Sequence, residues 1–423
     1  MTGPSTATAG DRAGYAAFQY PDFTLYQCAR FCVVAALEMQ SVAVAWQVYE
    51  ITRKPLDLGL VGLSQFLPGA LLFLAAGHVA DRFPRRKVLM VCYAGFAFCS
   101  ALLLLLAFRD HQSVAPVYVA VVTLGVVRSF NAPASRAILP QLVPLEHFPN
   151  AVTWNATTFQ AATITGPALG GLLYAVSHGA RSVYAMSMLT FLAAVAVMWR
   201  IRAHGQARSR PGGTSVLAGF RYVWRQKLIL GLISLDMFAV LLGGAVALLP
   251  VYAAEILHIN AWGLGILRSA PAIGAAAMAI FLAHNPLRRN VGAVMLWSVA
   301  GFGVFTIVFG LSRSVPLSLL ALILAGAFDM VSVVIRGTLV QLATPDEMRG
   351  RVTAVDMVFI NTSNELGQFE SGVTAHWFGT VPAVVLGGIG TLAVIGLWTL
   401  IFPDLRHADQ MTDSSTMETP AKR

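Results

Sequence analysis

Several carboxylate and guanidinium groups of this chain fall inside long apolar segments, where a charged side chain is costly to place. Glu38 lies in the middle of the first apolar segment, and Arg128 lies in the fourth, where it offers a counter-charge. Asp329 and Arg336 are two helical turns apart on one face of the tenth segment. Charged groups at such positions mark ion or substrate sites. The other candidates for proton coupling or substrate binding are Asn131, Asp236, Asn361, Glu365 and Gln368.

A proton carrier must be a carboxyl group that is buried and able to become neutral near neutral pH. Asp329 shares its helical face with an arginine, which would hold it ionised. Asp236 and Asp356 lie towards the cytoplasmic ends of their segments, where water is easier to reach. Glu38 and Glu365 are deep in theirs. We therefore predict that Glu38 and Glu365 are the leading proton or substrate-cation sites.

The composition is that of a polytopic membrane protein. Of 423 residues, 57% are hydrophobic and 12% are charged, and the mean hydropathy is +0.68. A soluble protein carries roughly 25% charged residues. The apolar segments are each about 20 residues long, which suits membrane helices rather than barrel strands. We predict an all-α membrane protein with twelve transmembrane helices.

Cations concentrate in a few short polar segments, and this distribution sets the predicted topology. Lys and Arg are retained on the cytoplasmic side, so both termini and the central loop are predicted to be cytoplasmic. The net charge of +9 is then explained by topology and by anionic membrane lipids, and no nucleic-acid partner is predicted. The predicted organisation is a mobile tail (1–20), a six-helix half (21–200), a cytoplasmic loop with an amphipathic helix (201–227), a second six-helix half (228–403) and a tail (404–423).

The two predicted halves share short matching stretches, which indicates an internal repeat. The matches fall at two nearly equal offsets and include an aromatic residue, a helix proline and a polar–apolar pair. They are Val48-Tyr49 with Val251-Tyr252, Pro68 with Pro271, and Gln141-Leu142 with Gln341-Leu342. Two repeats of this kind predict pseudo-symmetric halves with the transport site between them.

A short charged stretch, Gly77–Lys87, separates the second and third apolar segments. It must be a tight turn facing water, because hydrocarbon would not accommodate its charges. It resembles the loop signature G-x-L-A-D-R-x-G-R-K of the major facilitator superfamily. Val79 and Pro84 depart from that signature. The residues that match it, or keep its charge, are Gly77, Ala80, Asp81, Arg82, Arg85 and Arg86.

This resemblance implies the major facilitator fold and a gating role for the turn. Asp81 is expected to contact Arg85, Arg86 or a neighbouring helix and to lock the cytoplasmic side in one state. The corresponding place in the second half is occupied by His284, so the first copy is expected to carry the stronger interaction.

The fifth segment contains a glycine–proline motif at Gly166, Pro167, Gly170 and Gly171. Proline removes a backbone hydrogen bond and kinks a helix, and glycines allow close helix packing. The motif resembles the G-x-x-x-G-P-x-x-G-G signature of exporting members of the superfamily, with Ala162 in place of the first glycine. The resemblance implies that this helix bends or packs closely during export.

A narrower resemblance extends over nearly the whole chain. Trp46–Glu50, Ser363–Gly372 and Phe402–Arg406 look like the corresponding stretches of the enterobactin-exporter branch. That branch implies a bacterial inner-membrane, proton-driven exporter of a siderophore or similar amphipathic molecule. The branch is also similar to multidrug and macrolide efflux antiporters, and a lipid flippase of the same fold is a further alternative.

The sequence offers no sign of enzymatic chemistry. It contains no phosphate-binding loop, zinc-helix motif or nucleophile elbow, so ATP-driven transport and hydrolysis have no support. Cys28 and Cys32 share a helix face but have no nearby histidine to complete a metal site, and we expect them to be packing residues. The expected partners are a small-molecule substrate, protons and membrane lipids, with no cofactor or metal, and the chain is expected to act as a monomer.

Overall fold

The computed structural model describes residues 14–109, 113–202, 216–287 and 290–403, and only the backbone of residues 73, 74, 80, 81, 216 and 217. Most of the predicted terminal tails and of the central loop, and the side chain of Asp81, therefore lie outside the described residues. Within the described residues the regular structure is helical and no β-strand occurs. This agrees with the all-α prediction, because membrane helices satisfy their backbone groups internally.

Six long helices form the first part of the chain, and they correspond to the first six predicted spans. Short 3₁₀ turns precede α1 and connect α4 to α5. The helices are α1 (Pro21–Thr52), α2 (Pro55–Arg82), α3 (Arg85–Phe108), α4 (Ala115–Ile138), α5 (Phe148–Ser177) and α6 (Ala180–Arg200).

The second part begins with a short helix and continues with five long helices and one broken span. The short helix α7 (Val216–Arg225) has its apolar side chains on one face, as an interfacial helix does. The others are α8 (Lys227–Leu242), α9 (Ala261–His284), α10 (Val291–Leu311), α11 (Val315–Leu342), α12 (Asp346–Phe378) and α13 (Thr380–Ile401).

The seventh predicted span is broken rather than continuous. After α8 ends at Leu242, the chain passes through Gly243 and Gly244 and continues as a 3₁₀ turn, a short α-helical segment and a π-helical turn that ends at Ile256. The carbonyl oxygen of Gly244 accepts a hydrogen bond of 3.0 Å from Oγ of Ser371 in α12. Ser371 of α12 thus contacts the chain at the break.

Ten of the described helical segments are long and apolar enough to cross a membrane, judged by length and composition. The broken seventh span is among them as Lys227–Ile256. The helices α5 and α12, which occupy the predicted fifth and eleventh positions, are long but more polar. These two helices carry the glycine–proline motif and the stripe of Asn361, Glu365 and Gln368.

Internal contacts divide the chain into two units. Unit 1 comprises Met1–Val44 and Leu67–Arg210, and unit 2 comprises Ala45–Phe66 and Pro211–Arg423. In the core of unit 1, the Phe96 ring of α3 lies 5.4 Å from the Phe191 ring of α6. In the core of unit 2, the indole nitrogen of Trp398 donates to Oγ of Ser234 over 3.0 Å.

Residues 45–66, which the sequence places in the N-terminal half, are grouped with unit 2. In this segment Gly59 of α2 packs on Gly372 of α12 so closely that a Cβ atom on Gly372 would lie 2.7 Å from Cα of Gly59. The hydroxyl of Tyr49 donates a hydrogen bond to a carboxylate oxygen of Glu255. The domain boundaries at 200 and 228 stay predictions.

Candidate functional site

The glycine motif of α5 packs directly against α1 beside Glu38. A Cβ atom built on Gly166 would lie 2.7 Å from Cβ of Glu38 and 2.8 Å from the carbonyl oxygen of Ala35. A Cβ atom on Gly170 would lie 2.6 Å from Cα of Met39. Glycines four residues apart let two membrane helices approach to backbone contact. The structure therefore brings together two features that the sequence singled out separately, the motif and the acid.

Two polar contacts hold the same helix α1 against α4. The hydroxyl of Tyr26 forms a hydrogen bond of 2.8 Å with Oγ of Ser135, and Nη1 of Arg30 donates to that Oγ atom over 2.5 Å. The guanidinium carbon of Arg30 lies 5.7 Å from the centre of the Phe159 ring of α5. Arg30 thus contacts both α4 and α5, at a point two turns before Glu38 along α1.

Arg128 and Asn131 lie on α4, one helical turn apart, as their spacing predicts. Arg128 is exposed, and Asn131 is half-buried. The Oδ1 atom of Asn131 is buried and has no hydrogen-bond partner among the described residues. A polar oxygen of this kind is available to a ligand, because an unpaired buried acceptor is unfavourable.

The predicted gating turn is short. α2 ends at Arg82 and α3 begins at Arg85, so only Phe83 and Pro84 connect them. Arg86 donates from Nε to the carbonyl oxygen of Met198 over 3.0 Å and from Nη2 to that of Trp199 over 2.5 Å. These carbonyl groups end α6, where the helix dipole favours a cation. A contact between Asp81 and this turn stays a prediction, because the Asp81 side chain lies outside the described residues.

Unit 2 contains a buried group of charged side chains whose pairing the sequence predicted only in part. Nη2 of Arg336 lies 3.3 Å from Oδ2 of Asp236, and Nη1 of the same arginine donates to Oδ1 of Asp356. Arg336 is 3% exposed, Asp236 5% and Asp356 8%. Arg336 was expected to hold Asp329 ionised, whereas its ion pairs are with Asp236 and Asp356. The expectation that these two acids lie near water was wrong.

The reason for the burial of Asp356 lies in the length and covering of α12. This helix begins at Asp346, five residues before Arg351, where the apolar segment is predicted to begin, so Asp356 is about 15 Å from the first residue of the helix. α7 also covers this end of α12, because a Cβ atom on Gly219 would lie 2.8 Å from the carbonyl oxygen of Arg351. Neither feature is visible in the hydropathy of the sequence.

The polar stripe of α12 is present in the structure. Nε2 of Gln368 donates to Oε2 of Glu365 over 3.3 Å, and both side chains are half-buried. Asn361 lies one turn before Glu365 and is exposed. Gln368 also contacts α2, where a Cβ atom on Gly62 would lie 2.9 Å from Cβ of Gln368. The stripe is therefore held by a hydrogen bond along α12 and by packing against α2.

The hydrogen bond between Tyr49 and Glu255 is a feature that sequence reasoning missed. Glu255 lies in the π-helical turn after α8, and such turns are frequent at functional sites. The internal repeat gave a partial signal for this contact. It matches Tyr49 with Tyr252, and Tyr252 begins the π-helical turn that contains Glu255.

The helices, the paired glycines and the buried charges define a polytopic membrane transporter of the major facilitator fold. Solved structures agree with this fold. A bacterial homologue of the human lysosomal transporter Spinster, in an inward-facing and unoccupied conformation, has a TM-score of 0.70 at 13% identity, covering 92% of this chain and 97% of that one. A D-xylose–proton symporter has a TM-score of 0.67 at 14% identity, covering 90% and 97%.

Residues 13–422 match the family described as transmembrane secretion effectors, and the chain belongs to this family of the major facilitator superfamily. Among curated proteins, the chain is 28% identical to the enterobactin exporter EntS of Shigella dysenteriae serotype 1 (strain Sd197) over 401 residues, which is 92% of this chain and 94% of that protein. The enterobactin exporter EntS of Escherichia coli (strain K12) gives the same identity and coverage. The similarity confirms the predicted membership of an enterobactin-exporter-like branch.

Proposed function

We propose that this transporter is a proton-coupled exporter of a siderophore or a similar amphipathic small molecule, working by alternating access. In this proposal it acts as a monomer in the bacterial cytoplasmic membrane, with both termini in the cytoplasm. The observation that carries the proposal is the close packing of Gly166 and Gly170 on α1 beside Glu38. Bulkier residues would keep the two helices apart, so a motif typical of exporters controls how α5 and α1 approach each other at a membrane acid.

Each unit, taken by itself, carries a set of half-buried or exposed polar side chains that we propose as substrate contacts. In unit 1 these are Glu38, Arg128 and Asn131, and in unit 2 they are Asn361, Glu365 and Gln368. An amphipathic molecule requires a few polar groups among apolar walls, and helices rich in Leu, Val and Phe supply such walls. The similarity to proteins named enterobactin exporters covers 92% of this chain, and it supports a siderophore as the substrate class.

Transport in proteoliposomes tests this function. Purified protein is reconstituted, and movement of enterobactin is measured with and without an imposed pH gradient, with protein-free liposomes as the control. The expected result is enterobactin movement that the pH gradient accelerates. Movement of a macrolide such as erythromycin, but not of enterobactin, would instead support a drug antiporter. Gradient-independent movement of a fluorescent phospholipid would support a flippase.

The two leading acids are tested in the same assay. Glutamine imitates a permanently protonated glutamate, so Glu38→Gln and Glu365→Gln separate proton transfer from substrate contact. If either side chain binds substrate, its variant binds enterobactin more weakly in detergent. If both variants keep full gradient-driven export, neither glutamate takes part in transport.

A further inference from the structure

Three aspartates of unit 2 are grouped with one arginine; Asp236, Asp356 and Arg336 are buried, and Asp329 is half-buried. Asp236 lies on α8, Asp329 and Arg336 lie on α11, and Asp356 lies on α12. Asp236 and Asp356 are ion-paired with Arg336, and Asp329 lies two helical turns before Arg336 on the same face of α11.

The charges of this cluster do not balance when every member is ionised. Three carboxylates and one guanidinium would leave two uncompensated negative charges in a buried region. The effective cost of burying an uncompensated charge is several kcal/mol per ion. Carboxylates that share a site avoid this cost when one of them binds a proton. α10 and α13 carry no ionisable side chain. The other Lys and Arg residues on the helices of this region are Arg268 of α9, Arg221 and Arg225 of α7, Lys227 of α8, and Arg349 and Arg351 of α12.

We propose that Asp236, Asp329 and Asp356, held around Arg336, form the proton-binding site of this transporter, and that Asp329 carries the exchangeable proton. Asp329 is the member without a hydrogen bond or ion pair to any residue that the structure describes. Arg336 stabilises the carboxylates of the other two acids. A neutral Asp329 then leaves the cluster with one excess negative charge instead of two.

A second observation points to the same place. Ser332 lies on α11 between Asp329 and Arg336, on the same helical face. Oγ of Ser332 and Nε of Arg336 are buried without a hydrogen-bond partner among the described residues, and the two side chains are only 2% and 3% exposed. An unpaired buried donor costs about 1–3 kcal/mol. Unpaired donors of this kind fit a site in which a carboxyl group changes its hydrogen bonds when it gains or loses a proton.

A metal site is a poorer account of the three aspartates. Within the described ranges, no three His, Cys, Asp or Glu side chains are placed to hold a metal ion. A purely structural ion pair would need one acid for the arginine, whereas two acids contact this guanidinium and a third lies on the same face of its helix. A proton-binding site of this kind requires more carboxyl groups than the arginine can neutralise.

Infrared difference spectroscopy of the purified protein in detergent tests the site directly. A protonated carboxyl group has a carbonyl band that a carboxylate lacks, so a pH titration counts the buried acids that bind a proton. We expect one such band to titrate near neutral pH in the native protein and to be absent from Asp329→Asn. Asp236→Asn lowers the negative charge of the cluster, so the band should titrate at a lower pH. The matched control is Glu347→Gln, which removes an exposed acid in the first turn of α12 and should leave the band unchanged.

Two results would overturn the assignment. One is a native protein in which no carboxyl band titrates. The other is a band that survives Asp329→Asn and disappears from Glu38→Gln or Glu365→Gln. If Asp329→Asn does not yield folded protein, Asp329→Glu keeps a carboxyl group and should give a titrating band at a shifted frequency. An unshifted band in that variant would also refute the site.

The inference rests on the proposed proton coupling, but the two are tested separately. The infrared titration needs neither a substrate nor a pH gradient. If the native protein shows the carboxyl band that depends on Asp329 but no gradient-driven export, proton coupling is rejected as the function of this site. Gradient-driven export by Asp329→Asn at the native rate would keep the exporter and reject this carrier.

Discussion

Replacing Gly166 by alanine tests whether the contact between α5 and α1 limits both stability and export. The added Cβ atom would lie 2.7 Å from Cβ of Glu38 and 2.8 Å from the carbonyl oxygen of Ala35. The backbone of α1 has to move to relieve this overlap, and overpacking of that kind costs about 1–3 kcal/mol. Alanine gains about 0.5–1 kcal/mol over glycine within a helix. The net destabilisation of Gly166→Ala is therefore roughly 0–2.5 kcal/mol.

A matched substitution separates packing from helix propensity. Gly396 also lies within a long helix, α13, and a Cβ atom there would meet no atom within 4 Å. Gly396→Ala should therefore keep or raise the melting temperature of the detergent-purified protein, whereas the melting temperature of Gly166→Ala should be lower than that of Gly396→Ala. Enterobactin export in proteoliposomes should fall only for Gly166→Ala. Equal melting temperatures and equal export for the two variants would refute the packing argument.

Three further substitutions test separate parts of the account. Asp81→Asn should abolish most enterobactin export while membrane insertion, measured by fractionation, stays normal, and native export would reject the gate. Glu38→Gln should weaken enterobactin binding in detergent without changing the titrating infrared carboxyl band, and a lost band would move the proton site to α1. Tyr49→Phe removes a hydrogen bond to the carboxylate of Glu255, worth about 1.5–3 kcal/mol when a charged group takes part. It should lower the melting temperature more than Tyr222→Phe, whose hydroxyl makes only a 3.5 Å contact, and equal effects would contradict this.

Much of the fold follows from local properties of the sequence. Apolar segments of sufficient length predict membrane helices, and the charged turn before Arg85 predicts a boundary that the structure places within a few residues. The packing role of Gly166 was also predictable, since a small residue beside a helix proline favours close approach. The identity of the facing residues, Ala35 and Glu38, was not, because it depends on the rotation of α1 about its axis.

The acidic cluster shows why the site was only partly predictable. Sequence spacing places Asp329 and Arg336 on one face of α11, but it does not reveal which residues of α8 and α12 face them. Arg336 selects Asp236 and Asp356 because three helices converge there and the longer α12 brings Asp356 inside. The break after α8 was missed for a similar reason. Glycines are common in membrane helices, so the pair at 243 and 244 does not by itself predict a break.

The coupling between substrate and proton movement tests the central claim most directly. Proteoliposomes containing the purified protein and an internal pH-sensitive dye are given an enterobactin gradient with no initial pH difference across the membrane. The account predicts that enterobactin moving down its gradient drives protons in the opposite direction, so the internal pH changes, and that Asp329→Asn abolishes this change. Enterobactin movement by the native protein with no change in internal pH would contradict proton-coupled export.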